Sequence, residues 1–496
     1  MIAAGAAIYY LIPGKLQWVE LLVLSVVFYM FAAVPYTFIY VIVSTTIAWI
    51  VTNCVKHSKA AVGISIAVDI VLWFMLKGTE FITAAGTLAG LIIPAAKSVV
   101  VPQYAAALGM GYYTLQIIGY TLDCLWDRSE PQKNPLKLLL FTCFFPQMIT
   151  GPVSRYSQLE QLYLSHRASY ENIAHGVQRI LWGLLKKMVL AEYCGTIIDT
   201  VWADYTTFCG IYTWLALLLY PVQMYADFSG CMDIVIGTAK VFDITLAENF
   251  DNPFFSQTSQ EFWQRWHITL GTWAKDYVLY PLLKSSWMVK WGKHLKKKFG
   301  KKKGKFIATA AGMFVLWMVV GIWHGGIRYI IGVSLWYWII LMLGDLIGPA
   351  ADRFAKKYSF RTGSFGWRLF SAARTYLIYS IGALFFRADG IRDAVNFLRA
   401  LIFSFNRNIW NPWVLLDGSM LNLGITFKEL NVMVLCIAAL FVVAVLRRKY
   451  GYAVNWIDMQ PVLFRWTIYI VLLLAVLIFG AYGPGYNASM FIYGNF

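Results

Sequence analysis

The sequence predicts an all-α, polytopic membrane protein. Three observations predict it: hydrophobic residues make up 59% of the 496-residue chain and charged residues only 14%, apolar runs recur along its length, and Trp and Tyr are abundant. So little charge leaves too little polar sequence to solvate a soluble globule of this size. The runs Trp18–Met30, Ala61–Leu76, Trp214–Met224, Phe306–Trp323, Val432–Leu446 and Trp466–Tyr482 reach or approach the ~20 residues that cross ~30 Å of hydrocarbon as a helix. With the broken apolar stretches between them, roughly 10 to 13 membrane-embedded helices are expected, some re-entrant. The aromatic residues suit belts at the membrane–water boundary.

From the N-terminus onward, Met1–Ile12 is apolar but has no basic leader or small-residue cleavage pattern, so it reads as mature chain. No fixed-period repeat or low-complexity linker divides the sequence, and residues 1–496 read as one membrane domain, its motif core at about 104–345. The segment FFPQMITGPVSRY (144–156) sets Pro146 and Pro152 around Gly151 and reads either as a re-entrant or broken segment or as a simple helix kink. In YPVQMYADFSGCMDI, Gln223, Asp227, Ser229 and Asp233 punctuate an apolar stretch. Their spacing does not put all four on one helical stripe, so they serve either a helix-packing network or the polar wall of a tunnel or chamber.

The stretch NFDNPFFSQTSQEFWQRWHITLGTWAKDYVLYPLL begins as a polar loop and becomes Trp-rich and amphipathic. The Asn252-Pro253 pair favours a turn, and a helix is expected from about Ser259, capped by that residue. Phe262, Trp263, Trp266, Leu270 and Trp273 would form its apolar face.

Net charge is +17, but the excess is concentrated in residues 284–305, KSSWMVKWGKHLKKKFGKKKGK, read as a loop between apolar regions. A local excess of this kind marks a cytoplasmic loop rather than a nucleic-acid surface. It could also dock anionic lipid headgroups, the phosphates of a CoA-type donor or an acidic carrier protein. Seven scattered cysteines form no C-x-x-C pair and no metal-ligand or disulfide pattern, and packing is their expected role. No nucleophile-elbow, P-loop, zincin or dinucleotide-binding motif is present.

Ionisable groups in hydrocarbon tend to face a cavity, a partner or a pathway. His324 closes the apolar run GMFVLWMVVGIW and precedes Gly325 and Gly326, which permit a helix break. His267 lies 17 residues before Lys284, and His324 lies 19 residues after Lys305. If both flanks were upright helices, each histidine would stand ~25–29 Å from the lysine segment, at a shared depth. Two neutral imidazoles at one site suit general-base catalysis on a hydroxyl. Taken singly, a buried histidine is more often a hydrogen-bonded structural residue.

Several segments together resemble the membrane-bound O-acyltransferase family, in its bacterial branch of alginate O-acetyltransferases and teichoic-acid D-alanyl transfer proteins. They are YYTLQIIGYTLD (112–123), FFPQMITGPVSRY (144–156), QMYADFSGCMDI (223–234), residues 249–282 with FWQRWH, GIWHGG (321–326) and the ending FIYGNF. The resemblance implies a helical membrane fold with openings from each face that meet at His324, His267 being the second active-site histidine. It implies a tunnel or chamber whose candidate residues are Gln223, Asp227, Ser229, Trp263, Arg265, Trp266, Lys275, Asp276, Tyr277 and Trp323.

The implied co-substrate is an acyl thioester, acetyl-CoA or an acyl carrier, with no bound cofactor and no metal. The implied acceptor is an extracytoplasmic polysaccharide. A secreted or membrane-anchored acetyltransferase partner, an acyl carrier protein and membrane lipids are the partners such an enzyme would use at the cell membrane. The chain's length and the long loops after Asp345 favour acetyl transfer over D-alanyl transfer toward teichoic acid, which is the enzymatic alternative. A transporter is the non-enzymatic one, although the paired broken helices it would carry in repeated halves are not apparent. Lys275 stands where the branch usually has arginine, keeping the charge but losing bidentate hydrogen bonding. Gly494 and Asn495 depart from the branch's tail.

Overall fold

The computed structural model describes residues 1–55, 57–89, 105–403, 413 and 416–483. The FIYGNF tail therefore lies outside the described residues. Every named element is a helix, and β pairing among the described residues is confined to one isolated antiparallel bridge, Phe250 with Trp266. Eight helices among these residues are long and apolar enough to span a membrane: Gly14–Ala32, Pro35–Cys54, Lys59–Leu76, Lys301–Trp323, Ile327–Lys357, Phe365–Arg387, Phe427–Tyr450 and Val462–Phe479. The roughly 10 to 13 embedded helices expected also include segments that do not fully span, which this count of eight leaves out. Two central helices, Met110–Leu125 and Ile211–Val241, are not among the eight, the first being short and both carrying buried polar groups.

Ile211–Val241, 31 residues long with Pro221 inside it, is the central element. Tyr170–Leu185 runs antiparallel along it, Gly176 meeting Gly237 and Gly183 meeting Gly230. A Cβ on Gly183 would lie 2.5 Å from the Gly230 carbonyl oxygen, so the backbones touch only because both positions lack side chains. The periphery is formed by Phe427–Tyr450 and Val462–Phe479, of which only 11% and 6% are buried, leaving apolar faces toward lipid.

The lysine-rich segment is not a loop. Ser286–Phe299 is a helix whose Ser285 cap accepts from the Met288 N–H, and Gly300 at φ +83° turns the chain directly into Lys301–Trp323. Lysine is a good helix former, and Met288, Gly292 and Leu295 share a buried face, so the segment folds as one arm of a helical hairpin. Residues 144–156 do form a buried broken segment: a short 3-10 turn at Phe145–Gln147, then non-helical backbone until Tyr156. Among the described residues, three helices contain a wider π-helical turn, at Lys186–Ala191, Lys275–Leu279 and Ile330–Leu335. Six of the seven cysteines, Cys54, Cys143, Cys194, Cys209, Cys231 and Cys436, are free thiols.

Candidate active site

The expected continuous helix from Ser259 is broken in two. Thr258, not Ser259, caps Ser259–Arg265 by accepting from the Glu261 N–H. The chain then turns at His267, which adopts a left-handed conformation at φ +48°, before Ile268–Ala274. Tertiary pairing produces this break: the Asp251 N–H donates to the Arg265 carbonyl at 2.9 Å, and the Ile268 N–H to the Asn249 carbonyl at 3.0 Å. Positive φ is uncommon away from glycine, and histidine tolerates it better than bulky or β-branched residues. It aims the imidazole inward, where it packs against Phe228 with ring centroids 4.9 Å apart.

Asn249 determines which imidazole nitrogen carries the proton. Its Oδ1 accepts from the Thr269 N–H at 3.1 Å and from the Thr269 hydroxyl at 2.9 Å, and it lies 3.2 Å from His267 Nδ1. A backbone N–H can only donate, so the atom facing it is the amide oxygen, and Nδ1 must then be the protonated nitrogen. Nε2 keeps its lone pair, and it has no protein partner among the described residues.

His324 ends the Lys301–Trp323 helix, and Gly325 at φ +89° makes the break that the paired glycines predict. Its ring lies 5.4 Å from Tyr329 and 5.1 Å from Phe386. Trp323 packs near both histidines, 6.1 Å from the His267 ring and 5.0 Å from the His324 ring. Its indole N–H donates to the Gly111 carbonyl at 2.8 Å, which anchors the ring.

Both histidines line one cavity of about 1240 Å³. It follows the Lys301–Trp323 helix from His324 past Val320, Trp317 and Met313 to Thr309, ~22 Å at helical rise. Its course therefore leads from the histidines toward the lysine-bearing end of that helix. The walls near the histidines are aromatic, with Trp263, Trp317, Tyr379 and Phe386. The charged residues Asp345, Asp352 and Arg374 lie farther along, Arg374 donating to the Gln257 carbonyl at 2.8 Å.

Of the residues singled out by sequence, Trp263, Trp266 and Lys275 line this cavity with the two histidines. The others do not. Ser229 accepts from Lys186 Nζ at 2.7 Å and faces a second, smaller pocket, while Asp227 pairs with Lys187 at 2.7 Å. Gln223 packs against Gly195. Arg265 pairs with Glu261, Asp276 with Arg155 at 2.5 Å, and the Tyr277 hydroxyl donates to Asp123 at 2.6 Å. Sequence reasoning missed Asn249 as a site residue, although it opens the NFDNPFF motif, and also Arg374, Tyr379 and Phe386, whose apolar or scattered context carried no signal.

The model of the membrane-bound O-acyltransferase family matches residues 128–382, which include both histidines. The chain is 28% identical over 409 residues to the probable alginate O-acetylase AlgI of Pseudomonas syringae pv. tomato, covering 80% of this chain and 72% of that protein. It is 27% identical over 325 residues to the peptidoglycan O-acetyltransferase of Helicobacter pylori, covering 60% and 56%. It is 26% identical over 256 residues to the teichoic acid D-alanyltransferase of Bacillus subtilis, covering 51% and 61%. With its helical membrane architecture and a family match that spans half its length, the chain belongs to the membrane-bound O-acyltransferases, enzymes of acyl transfer to oxygen.

Proposed function

We propose that this enzyme transfers an acetyl group from a cytoplasmic thioester to hydroxyls of an extracytoplasmic polysaccharide. The observation that carries the reading is the convergence of His267 and His324 on one cavity directed toward the lysine-bearing end of the Lys301–Trp323 helix. By the positive-inside rule that end faces the cytoplasm of a plasma-membrane protein, which is where acetyl-CoA or an acyl carrier resides. The names of the Pseudomonas and Helicobacter relatives support acetyl as the group and a glycan as the acceptor.

In the reaction the acceptor oxygen forms a bond to the thioester carbonyl carbon and the carbon–sulfur bond breaks. His324 takes the hydroxyl proton as attack proceeds and returns it to the departing thiolate, so no net proton is consumed. His267, with its Nε2 lone pair directed away from Asn249, accepts a hydrogen bond that orients the hydroxyl. The aromatic walls exclude water, which would otherwise compete as acceptor.

The test is expression of wild type and His324→Ala at matched membrane levels, with ester-linked acetate and alanine released from the cell surface by mild base. Loss of acetate supports the proposal. Loss of alanine instead supports the second reading, D-alanyl transfer from a carrier protein, which the Bacillus relative and the lysine-rich hairpin favour. Unchanged esters of both kinds, with folded protein in its native host, would remove His324 from the reaction.

A further inference from the structure

The smaller pocket, about 310 Å³, lies apart from the acyl-transfer cavity, between the Ile211–Val241 helix, residues 248–255 and the peripheral Phe427–Tyr450 helix. Its two ends differ in chemistry. One wall is apolar, made by Phe254, Phe255, Ile437, Leu440 and Phe441. Phe441 is 60% exposed on a helix that faces lipid, so this wall opens on the outer surface of the bundle. Ten residues beyond Ile437 on the same helix, ~15 Å at helical rise, Arg447 lies in the last turn with Arg448 and Lys449, where the span ends.

The charged end is built rather than incidental. Arg179 donates to both carboxylate oxygens of Glu248, at 2.6 and 2.7 Å, and to Asp233 at 3.0 Å. Buried Lys186 meets Asp233 at 2.6 Å. Two cations and two carboxylates thereby satisfy one another. Arg447 is left with longer contacts, 3.7 Å to Glu248 and 3.4 Å to Asp251, the latter carboxylate half exposed, and its guanidinium packs 5.3 Å from the Tyr452 ring. Arg447 is thus the cation of this cluster with the longest protein contacts, the nearer of them to a carboxylate that faces solvent.

An apolar groove ~15 Å long that opens toward hydrocarbon and ends in an arginine at the membrane boundary matches a two-part ligand, with acyl chain at one end and phosphate at the other. We infer that this pocket binds a membrane glycerophospholipid, its phosphodiester on Arg447 and an acyl chain along Ile437, Leu440 and Phe441.

The phosphate could also come from a free anion, and the experiment separates the two. The full-length protein, delipidated in detergent, is titrated with dioctanoyl phosphatidylglycerol, dioctanoyl phosphatidylethanolamine or inorganic phosphate, and binding is followed by thermal shift and native mass spectrometry. Expected is saturable stabilisation by a phospholipid, weakened at least tenfold in Arg447→Gln and in Ala444→Phe, which fills the groove without touching a charge. Ala444→Phe keeps the test decisive should Arg447→Gln fold poorly. Equal stabilisation by inorganic phosphate, or wild-type phospholipid binding in a folded Ala444→Phe protein, would overturn the assignment.

Discussion

Replacing Asn249 by alanine separates the role of His267 from the stability of the site. Asn249 is 1% exposed, and its Oδ1 serves three donors: His267 Nδ1–H, the Thr269 N–H and the Thr269 hydroxyl. The hydroxyl can rotate to another acceptor, but the Thr269 N–H cannot, and His267 and Thr269 are both buried. At about 1–3 kcal/mol for each donor left without a partner, two stranded donors predict a loss of roughly 2–6 kcal/mol. The His267 proton can move to Nε2, but that nitrogen has no protein partner among the described residues either, so the shift leaves the stability cost within this range while turning His267 from an acceptor into a donor. Acyl transfer should therefore fall by about tenfold or more per folded molecule, since orientation of the reacting hydroxyl is lost. The assay is transfer from acetyl-CoA in reconstituted vesicles, normalised to folded protein by size-exclusion chromatography, alongside thermal unfolding. A variant that unfolds earlier yet transfers at the wild-type rate would refute the orienting role.

Other perturbations discriminate equally well. Lys186→Met leaves the partly buried Asp233 with Arg179 alone and should cost about 1.5–3 kcal/mol, the worth of a hydrogen bond to a charged group. Arg387→Ala, whose Asp199 partner is well exposed, should cost under about 1 kcal/mol, and thermal unfolding of the two in one detergent gives the comparison. Trp263→Ala opens the aromatic wall beside the histidines, so the rate with butyryl-CoA should rise relative to acetyl-CoA, and an unchanged ratio would mean that Trp263 does not limit the acyl chain. On the proposed orientation, replacing Lys301, Lys302, Lys303 and Lys305 by glutamate should weaken retention of the Ser286–Phe299 helix on the cytoplasmic side, read by accessibility of a cysteine introduced at Ser286 to an impermeant maleimide.

The spans were legible where one-dimensional hydropathy is enough: Val432–Leu446 falls inside Phe427–Tyr450, and Phe306–Trp323 inside Lys301–Trp323. The hairpin at 286–299 was not, because lysine density reads as a loop while its buried face of Met288, Gly292 and Leu295 is carried by only three residues. Nor was the break at His267, since the apolar spacing from Phe262 to Trp273 continues through it. What breaks the helix is pairing with residues 249–251, an interaction that helical periodicity does not report. The polar residues of the Ile211–Val241 helix could be read as ambiguous but not assigned, because their partners Arg179, Lys186 and Lys187 sit on a different stretch of chain. Spacing set His267 and His324 at a comparable depth only if both flanks were upright helices; the flank after His267 winds through a π-helical turn instead, and what the two residues share is one cavity. Asn249, which fixes the tautomer of one of them, lacked any titratable chemistry to draw notice.

The three π-helical turns bear on how this chain can change length. A π turn is an α-helix holding one residue more than its turn requires, so removing one residue from Lys186–Ala191, Lys275–Leu279 or Ile330–Leu335 would return the helix to regular winding with both flanks in their present register. Anywhere else in these helices the same deletion would swing everything beyond it by about 100°. Lys186 lines one pocket, and Lys275 and Val333 line the other. Single-residue deletions that leave a folded protein should therefore concentrate at the walls of these two cavities, where a shortened chain would reshape a binding surface while leaving the bundle around it intact.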